Sequence, residues 1–296
     1  MAGSVRKLIS IIKPKTIATN DHCMNLIRQC DYDNYMCTLF LPTKLIPPAI
    51  AIRAFNVEVA RIEDVVKDKK IGEMRLQFFL DELNKVFEGK PRNHPVLMQL
   101  HKTLRNTRVS KHYLKRLVES RLRRIRQPEF PSLQTIEEYA EQSVSPIFYM
   151  LLQLQNVNDM HVDHYASHIG KAQGIVTVLR SIPYYRSKRI NVLPGDVLLN
   201  HGLSSEAIFR KTQPEKLRDC IFDVASQAIL HLNKAKSLEL KGKVDKSIKN
   251  IFLPRIVTQS YLDKLQQKDF DVHDPALNKL DVTTLLRLVW IGSFVR

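Results

Sequence analysis

Apolar residues recur at helical spacing along most of the chain. Phe55, Val59, Ile62 and Val66 follow one another at intervals of three or four residues, which places them on one face of a helix. The same spacing predicts further helices over 74–87, around 114–122, and over 135–155, 163–182, 219–238, 255–266 and 283–294. No succession of segments shows the two-residue alternation typical of strands. The pattern therefore predicts an all-α protein with about ten to twelve helices.

The breaks between the predicted helices are short. The stretch 88–91 contains a glycine and a proline, and Pro128 and Pro131 end the next helix. Thr135 stands just ahead of two glutamates, and we expect it to cap the helix that follows. No linker-like tract divides the chain, whose 296 residues and 44% hydrophobic composition suffice for a large core. We predict a single helical domain over 21–296.

The first twenty residues differ from the rest. They carry four basic residues and no acidic one, and their apolar residues share one helical face. This pattern is typical of a mitochondrial targeting segment. A disordered basic N-terminus would have the same composition, so both interpretations of 1–20 stay open.

The chain is strongly basic, with a formal net charge of +16 and a pI near 9.7. This charge favours an anionic partner such as phospholipid, nucleic acid, a diphosphate or an acidic protein surface. The densest run, 102–126, holds ten Lys or Arg but only one aromatic residue, Tyr113. Because RNA-binding surfaces stack bases on aromatic side chains, we expect no nucleic acid partner. We interpret the run as a charged helix face, with contact to anionic lipid as the alternative.

No apolar run reaches the roughly eighteen residues that a membrane-spanning helix needs. The two most apolar stretches, 144–157 and 283–295, are short, and Arg287 interrupts the second. We expect them to form core helices or one helix that lies on a surface.

A cationic stretch, 179–194, begins in the last turn of the helix predicted over 163–182 and continues beyond it. It contains four basic residues and no acidic one: Arg180, Arg186, Lys188 and Arg189. Such a stretch could bind an anion, contact a membrane surface or simply be solvated.

Two segments resemble the signatures of the squalene/phytoene synthase family. In SHIGKAQGIVTVLRS (167–181), five residues occupy the family's places, and Arg189 and Leu193-Pro194 match its later positions. In the segment 41–68, Ala54-Phe55 anchors the register of the first signature. The resemblance runs from about residue 21 to 270. It implies an isoprenoid-synthase-like helical bundle around a central apolar pocket, lined by helices near 54–66, 139–152 and 168–182.

The departures from the signatures concern the metal site. Enzymes of this family hold Mg²⁺ with two aspartate-rich motifs, and the metal neutralises the diphosphate of a prenyl substrate. The resemblance places the expected aspartates at Ala60, Arg61 and Asp64 in the first motif, and at Ser181 and Tyr185 in the second. Only Asp64 is a carboxylate. The resemblance therefore implies a non-catalytic member without metal or cofactor, in which the four cations of 179–194 are the remnant of an anion site.

An alternative interpretation is that the protein retains the catalytic activity of the family. Asp64 and Asp68 are four residues apart, which is a spacing that lets two carboxylates share one ion. The protein could then be an active prenyl-diphosphate-dependent transferase with a displaced metal site. This alternative requires a partner motif, which the second signature does not offer, and it places Lys67 beside the carboxylates.

A second candidate metal site lies near residue 161. His164 and His168 are one helical turn apart, a spacing that zinc uses, and His161 and Asp163 are close in sequence. No glutamate completes a protease-like motif. We therefore favour histidines that pack or cap the start of a helix.

A narrower resemblance is to the mitochondrial branch of the same family, carried by AIRAFNVEVA (51–60), 167–180 and DVASQAILHLNKAKS (223–237). It implies a protein of the matrix side of the inner mitochondrial membrane, in peripheral contact with that membrane. Its expected partners are assembly intermediates of respiratory complex I (NADH:ubiquinone oxidoreductase), around a mitochondrially encoded membrane subunit. The pocket would then hold a lipid or a client segment.

Overall fold

The computed structural model describes residues 21–66, 68–238, 240, 245–278 and 280–293. All regular structure in these ranges is helical, and no strand occurs among them. The all-α prediction is confirmed. The segment 1–20, interpreted as a targeting sequence, lies outside the described residues.

The helices follow one another with short connections. Their bounds are α1 Asp21–Cys30, α2 Tyr32–Thr38, α3 Ile46–Ala60, α4 Ile62–Val65, α5 Lys69–Phe87, α6 Pro95–Leu104, α7 Lys111–Arg126, α8 Leu133–Ser143, α9 Ser145–Leu154, α10 Met160–Ser187, α11 Gly195–Asn200, α12 Ser205–Arg210, α13 Pro214–Ser237, α14 Lys246–Lys249, α15 Pro254–Gln267 and α16 Val282–Ser293. Two 3₁₀ turns lie at Asn250–Phe252 and Pro275–Asn278.

The sequence pattern misplaced some boundaries. The segment predicted as one helix over 135–155 is two helices, α8 and α9, separated at Val144. Ser132 caps α8, and Thr135 is its capping-box partner three residues later, so the prediction that Thr135 is the cap was wrong. The described ranges contain sixteen α-helical segments rather than about ten to twelve, because five of them are only four to seven residues long.

Helix α10 organises the structure. It packs most extensively against α13 and α8, and it also contacts α9 and α15. Two glycines one turn apart allow this close packing. A Cβ atom on Gly170 would lie 2.7 Å from the Cα atom of Ser145, and one on Gly174 would lie 2.8 Å from the Cα atom of Ala140. The backbones of α8 and α9 can approach α10 only because both positions lack side chains.

A polar network fastens the helices around the break at Val144. Glu141 accepts hydrogen bonds from Tyr149 Oη at 2.9 Å, Ser145 Oγ at 2.9 Å and Ser167 Oγ at 2.8 Å, and it forms an ion pair with Arg116 at 3.2 Å. The network joins α7, α8, α9 and α10. It therefore fixes the relative positions of four of the helices that surround the pocket described below.

The apolar core is divided into two clusters. The larger extends from α1 to α15 and contains fully buried side chains such as Phe55, Phe148 and Phe252. The smaller cluster joins α2, α15 and α16 through the residues Met36, Cys37, Leu39, Phe40, Leu253, Val257 and Leu288. Asn250 lies beside it and donates to the carbonyls of Phe40 at 2.8 Å and Gly292 at 3.3 Å.

The two most apolar stretches behave differently. Helix α9, within 144–157, is largely buried, as expected for a core helix. Helix α16, within 283–295, buries Leu288 but exposes one face that carries Val282, Leu286 and Trp290. Across the described ranges, no helix combines the length and apolar character needed to cross a bilayer.

Candidate binding pocket

A central pocket of about 530 Å³ lies between α3, α7, α8, α9 and α10. Its wall is partly apolar and aromatic, formed by Val57, Phe130, Tyr139, Val144, Ile147, Phe148, Val178, Tyr184 and Tyr185. The predicted helices near 54–66, 139–152 and 168–182 all contribute to this wall. A pocket of this size is in the usual range for a small-molecule site.

All five predicted metal-motif positions meet in this pocket. Ala60, Arg61 and Asp64 line it from the end of α3 and from α4, and Ser181 and Tyr185 line it from α10. The two signatures therefore contribute to the wall of the same cavity. Tyr185 is one of these positions, and the pKa of its hydroxyl is raised by burial and by the nearby Glu63 and Asp64.

Three further arginines line the pocket, and the sequence analysis missed them as site residues. Arg53, Arg121 and Arg124 expose only 3%, 6% and 5% of their surface. A signal for two of them was present, since Arg121 and Arg124 continue the buried stripe that begins at Leu114 and Leu117. The sequence analysis counted charges along 102–126 and did not follow this stripe.

Arg121 joins three elements of the wall. Its Nη2 donates to Asn56 Oδ1 of α3 at 2.7 Å, and its Nη1 donates to the carbonyl of Leu117 at 2.9 Å. Both nitrogens lie 3.4 Å from the carbonyl of Ser143 in α8. Burial lowers the pKa of this guanidinium, while Tyr139 and Glu63 raise it.

Arg124 contacts aromatic rings. Its guanidinium lies 4.3 Å from the ring centroid of Phe130 and 5.7 Å from that of Tyr185. These contacts favour a cation at this position. Its Nη1 is buried and has no hydrogen-bond partner among the described residues.

Arg53 lies on α3, near Asp31. Burial raises the pKa of the Asp31 carboxyl, and the charge of Arg53 opposes that rise. Burial lowers the pKa of Arg53, and Asp31 opposes this in turn. The two side chains therefore stabilise each other's charge within the protein.

The four cations of 179–194 do not line the central pocket. Arg180 lies in an adjoining groove and pairs with Asp33 at 2.7 Å. Arg186 donates to Nε2 of His273 at 2.6 Å, Lys188 donates to the hydroxyl of Tyr184, and Arg189 pairs with Glu206 at 2.6 Å.

Asp64 and Asp68, the displaced metal pair of the alternative, have different surroundings. Asp64 lines the pocket, next to Glu63. Asp68 caps α5, and its Oδ1 accepts from the backbone N–H groups of Lys70 at 2.7 Å and Ile71 at 3.3 Å. Asp68 is not a lining residue of the pocket.

The histidines of the second candidate metal site do not converge. His161 and His164 are exposed, whereas His168 faces α13, with its Nδ1 at 2.9 Å from Nδ1 of His231. Asp159 rather than a histidine caps α10, because its carboxylate accepts from two N–H groups of the first turn. Among the described residues, no group of three or more His, Cys, Asp or Glu is arranged to hold a metal ion.

Comparison with known proteins adds sequence relatives. The squalene/phytoene synthase family profile matches residues 27–286. The chain is 40% identical over 270 residues to NADH dehydrogenase (ubiquinone) complex I, assembly factor 6 of Bos taurus, which covers 91% of this chain and 80% of the relative. It is 41% identical to the homolog of that factor in Drosophila melanogaster, over 91% of this chain and 82% of the relative. A phytoene synthase of Cereibacter sphaeroides is 23% identical over 92% of this chain and 78% of the relative.

Solved structures share the fold. A dehydrosqualene synthase in complex with ligand is similar with a TM-score of 0.78 and 17% identity, and it covers 93% of this chain and 95% of its own. The squalene synthase HpnC from Alicyclobacillus acidocaldarius gives a TM-score of 0.73 at 18% identity, over 84% of this chain and 94% of its own. The family match spans most of the chain, and it agrees with the position of both signatures on the pocket wall. The chain belongs to the squalene/phytoene synthase family.

Proposed function

We propose that this protein is a non-catalytic assembly factor for mitochondrial respiratory complex I, which acts early by binding a lipid or a membrane subunit. The observation that carries the proposal is a family pocket of about 530 Å³ whose motif positions hold Ala60, Arg61, Ser181 and Tyr185 in place of carboxylates. The names and coverage of the assembly factor relatives support the same role.

The residues at these positions do not fit the family's magnesium ions. Mg²⁺ prefers oxygen ligands, especially carboxylates and water, in octahedral geometry. On the α10 side, Ser181 and Tyr185 offer only neutral hydroxyls, and on the facing side Arg61 brings a positive charge next to Asp64. Without a second carboxylate wall, the pocket cannot neutralise a leaving diphosphate in the family's way.

The surface cations support a location at the matrix side of the inner membrane. Arg180 is about two-fifths exposed and Arg189 about two-thirds exposed, although each has an acidic partner. Such pairs are weak in water, and the cations can exchange them for lipid phosphates or for acidic residues of a client. In this proposal Arg180, Arg186, Lys188 and Arg189 form the outer contact surface, and the central pocket forms the inner one.

A knockout experiment tests the assembly role. Cells that lack this protein are analysed by native gel electrophoresis with an in-gel NADH dehydrogenase stain, and the wild-type chain is then restored. We expect complex I to be lost selectively and to return on rescue, while the other respiratory complexes stay normal. Normal complex I in the knockout cells would overturn the proposal.

The active transferase is a second candidate, because Glu63 and Asp64 both line the pocket and phytoene synthases are among the relatives. It predicts Mg²⁺-dependent release of diphosphate from farnesyl or geranylgeranyl diphosphate, abolished by Asp64→Ala. The binding function predicts no release above a blank without protein. Turnover that depends on Asp64 would replace our proposal with this one.

A further inference from the structure

Helix α16 presents a stripe of apolar side chains to the solvent. Val282, Leu286 and Trp290 expose 51%, 49% and 66% of their surface. Each is four residues from the next, so they lie on one face of the helix and extend over about 12 Å of its length. A contiguous exposed stripe, unlike scattered single residues, indicates an interaction surface.

The opposite face of α16 is fastened to the protein. Leu288 is fully buried in the small core cluster, and a Cβ atom on Gly292 would lie 2.5 Å from the ring of Phe40. Asn250 donates to the carbonyl of Gly292 at 3.3 Å. The helix cannot rotate to bury its stripe without losing this packing, so the stripe is a fixed feature of the surface.

The charge around the stripe is positive. Helix α16 contains Arg287 and no acidic residue. Arg287 is exposed, and so is Lys249, which precedes Asn250 at the C-terminal end of α16. Asp281, the acidic residue just before the helix, pairs with Lys264 at 3.0 Å. A partner that covers the stripe therefore meets cations at its edges, and an anionic partner fits them.

The groove that contains Arg180 borders the same helix. Leu280, just before α16, and Leu285, within it, line this groove together with Arg180. Arg180 is one of the surface cations that the proposed function assigns to lipid phosphates or to a client. The stripe and that contact surface therefore lie on adjoining parts of the molecule.

The stripe suits a bilayer surface better than it suits a protein partner. Its three side chains expose on the order of 300 Å². Each partner in a stable protein complex buries about 800 Å², which is much more than the stripe offers. Binding to a bilayer needs only an apolar helix face with cations beside it, and tryptophan favours the boundary between membrane and water.

We propose that α16 is an interfacial helix whose exposed stripe enters the surface of an anionic bilayer, with Arg287 and Lys249 at the level of the lipid phosphates. The helix lies along the membrane and does not cross it. This inference goes beyond the proposed function because it names the element that contacts the membrane. It holds or fails whether or not the protein assembles complex I.

Trp290 is the only tryptophan of the chain, so its fluorescence reports on α16 alone. The full chain is titrated with vesicles of equal parts phosphatidylcholine and phosphatidylglycerol, and with vesicles of phosphatidylcholine alone. We expect the mixed vesicles to shift the emission of Trp290 to shorter wavelength by about 10 nm, because the indole leaves water. Binding to phosphatidylcholine alone should be about tenfold weaker. Unchanged emission, or equal binding to the two kinds of vesicle, would overturn the inference.

Variants identify the residues that bind the bilayer. Leu286→Gln removes the centre of the stripe and should weaken binding to the mixed vesicles about tenfold. Met98→Gln is the matched control, because Met98 on α6 is exposed to almost the same extent, 48%, and this variant should bind like wild type. Arg287→Gln should weaken binding about fivefold, as expected for one cation near an anionic surface.

Vesicle cosedimentation measures the three variants, and circular dichroism melting checks that each one is folded. Undiminished binding by a folded Leu286→Gln chain would contradict the inference. An equal loss of binding in Met98→Gln would place the membrane contact elsewhere and would contradict it as well.

A protein partner would give a different result. If the stripe joined two copies of the chain, the emission of Trp290 would shift with protein concentration in the absence of vesicles, and Leu286→Gln would abolish that shift. Size-exclusion chromatography over the same concentrations would then show a dimer. This outcome would overturn the inference and make a second copy the occupant of the stripe.

Rescue of the knockout cells separates the docking helix from the assembly role. If wild type restores complex I and Leu286→Gln does not, both proposals stand. If wild type restores complex I but does not bind the mixed vesicles, the docking inference is wrong and the assembly role stands. If the knockout cells have normal complex I, the assembly role is wrong, and the vesicle measurement still decides the docking inference.

Discussion

The pocket wall and the end of α10 are both rich in arginine, but their arginines are placed in opposite ways. Arg121 and Arg124 are almost fully buried and have no carboxylate within ion-pair distance in the described structure. Arg180 and Arg189 are substantially exposed, and each has an acidic partner within 2.7 Å. The buried arginines have the larger energetic consequences, although the exposed ones are more conspicuous in the sequence.

The comparison separates the arginines by burial rather than by charge density along the sequence. An exposed cation is stabilised by water, so its partner adds little. A buried cation depends on every hydrogen bond and charge around it, so changes there affect both stability and binding. The predictions below test this difference from the largest expected effect to the smallest.

The largest effect should come from Arg121→Ala. It removes the hydrogen bonds from this guanidinium to Asn56 and to the carbonyls of Leu117 and Ser143, and we expect the free energy of unfolding to fall by about 3 kcal/mol. Chemical denaturation measures it. The control is Arg123→Ala on the same helix, which should change stability by less than about 0.5 kcal/mol. Equal losses in the two variants would contradict the comparison.

Gly174→Ala tests the wall on the α10 side. The added Cβ would lie 2.3 Å from the Cβ of Ala140, against the backbone of α8, so we expect a loss of about 2 kcal/mol in the free energy of unfolding. Gly72→Ala is a matched control. Its Cβ would meet only the end of the flexible Ile125 side chain at 3.1 Å, and the gain in helix propensity offsets that contact. Thermal melting measures both variants. A decrease in melting temperature that is no larger for Gly174→Ala than for Gly72→Ala would contradict the tight packing of α10 against α8.

Arg124→Met should change the free energy of unfolding in the opposite direction. Replacing a buried, unpaired cation with an apolar side chain of similar length should raise the free energy of unfolding of the ligand-free protein by about 1 kcal/mol. A lower melting temperature would mean that the ring contacts of Arg124 with Phe130 and Tyr185 outweigh its unpaired donor.

The buried histidine pair extends the comparison to pH. Burial and the neighbouring His231, Lys171 and Lys234 lower the pKa of His168 to about 4. The unfolded chain takes up this proton near pH 6.5, whereas the folded chain does not, so stability should fall as the pH decreases from about 6.5 to about 4. Denaturation at several pH values should give a shallower fall for His168→Gln. His161→Gln, which changes an exposed histidine two turns away on the same helix, should keep the wild-type slope.

The smallest effect is expected at the surface. Arg189→Gln removes the ion pair with Glu206, but both side chains are well exposed and water replaces the contact. The melting temperature should therefore match that of wild type. A clear decrease in melting temperature would mean that the exposed ion pair also stabilises the fold. The contrast between buried and exposed arginines would then be wrong.

Much of the fold could be predicted from the sequence because the apolar residues of the long helices recur at helical spacing. The helix predicted over 163–182 lies within α10, and the one predicted over 219–238 ends one residue beyond α13. Helices of one or two turns, such as α4 and α14, contain too few residues to show a period. The break at Val144 was missed because apolar spacing continues across it. Pro146 lies in the first turn of α9, where it lacks the backbone N–H that a continuous helix would need.

The pocket was partly predictable. The five motif positions, which the sequence placed on two separate segments, line one cavity in the structure: Ala60, Arg61, Asp64, Ser181 and Tyr185. The pairing of His168 with His231 could not be foreseen, since 63 residues separate them. The sequence also could not predict which carboxylate pairs with each arginine, because the two residues of an ion pair need not be neighbours in sequence.

The small core cluster around Phe40 has a consequence for synthesis on the ribosome. Its residues come from α2, α15 and α16, and Asn250 connects the first of these to the last. Apolar side chains made early, such as Met36 and Phe40, must remain uncovered until α16 has been translated some 250 residues later. During that interval they are natural targets for chaperones. A stop codon before α16 would leave the same surface permanently open to degradation.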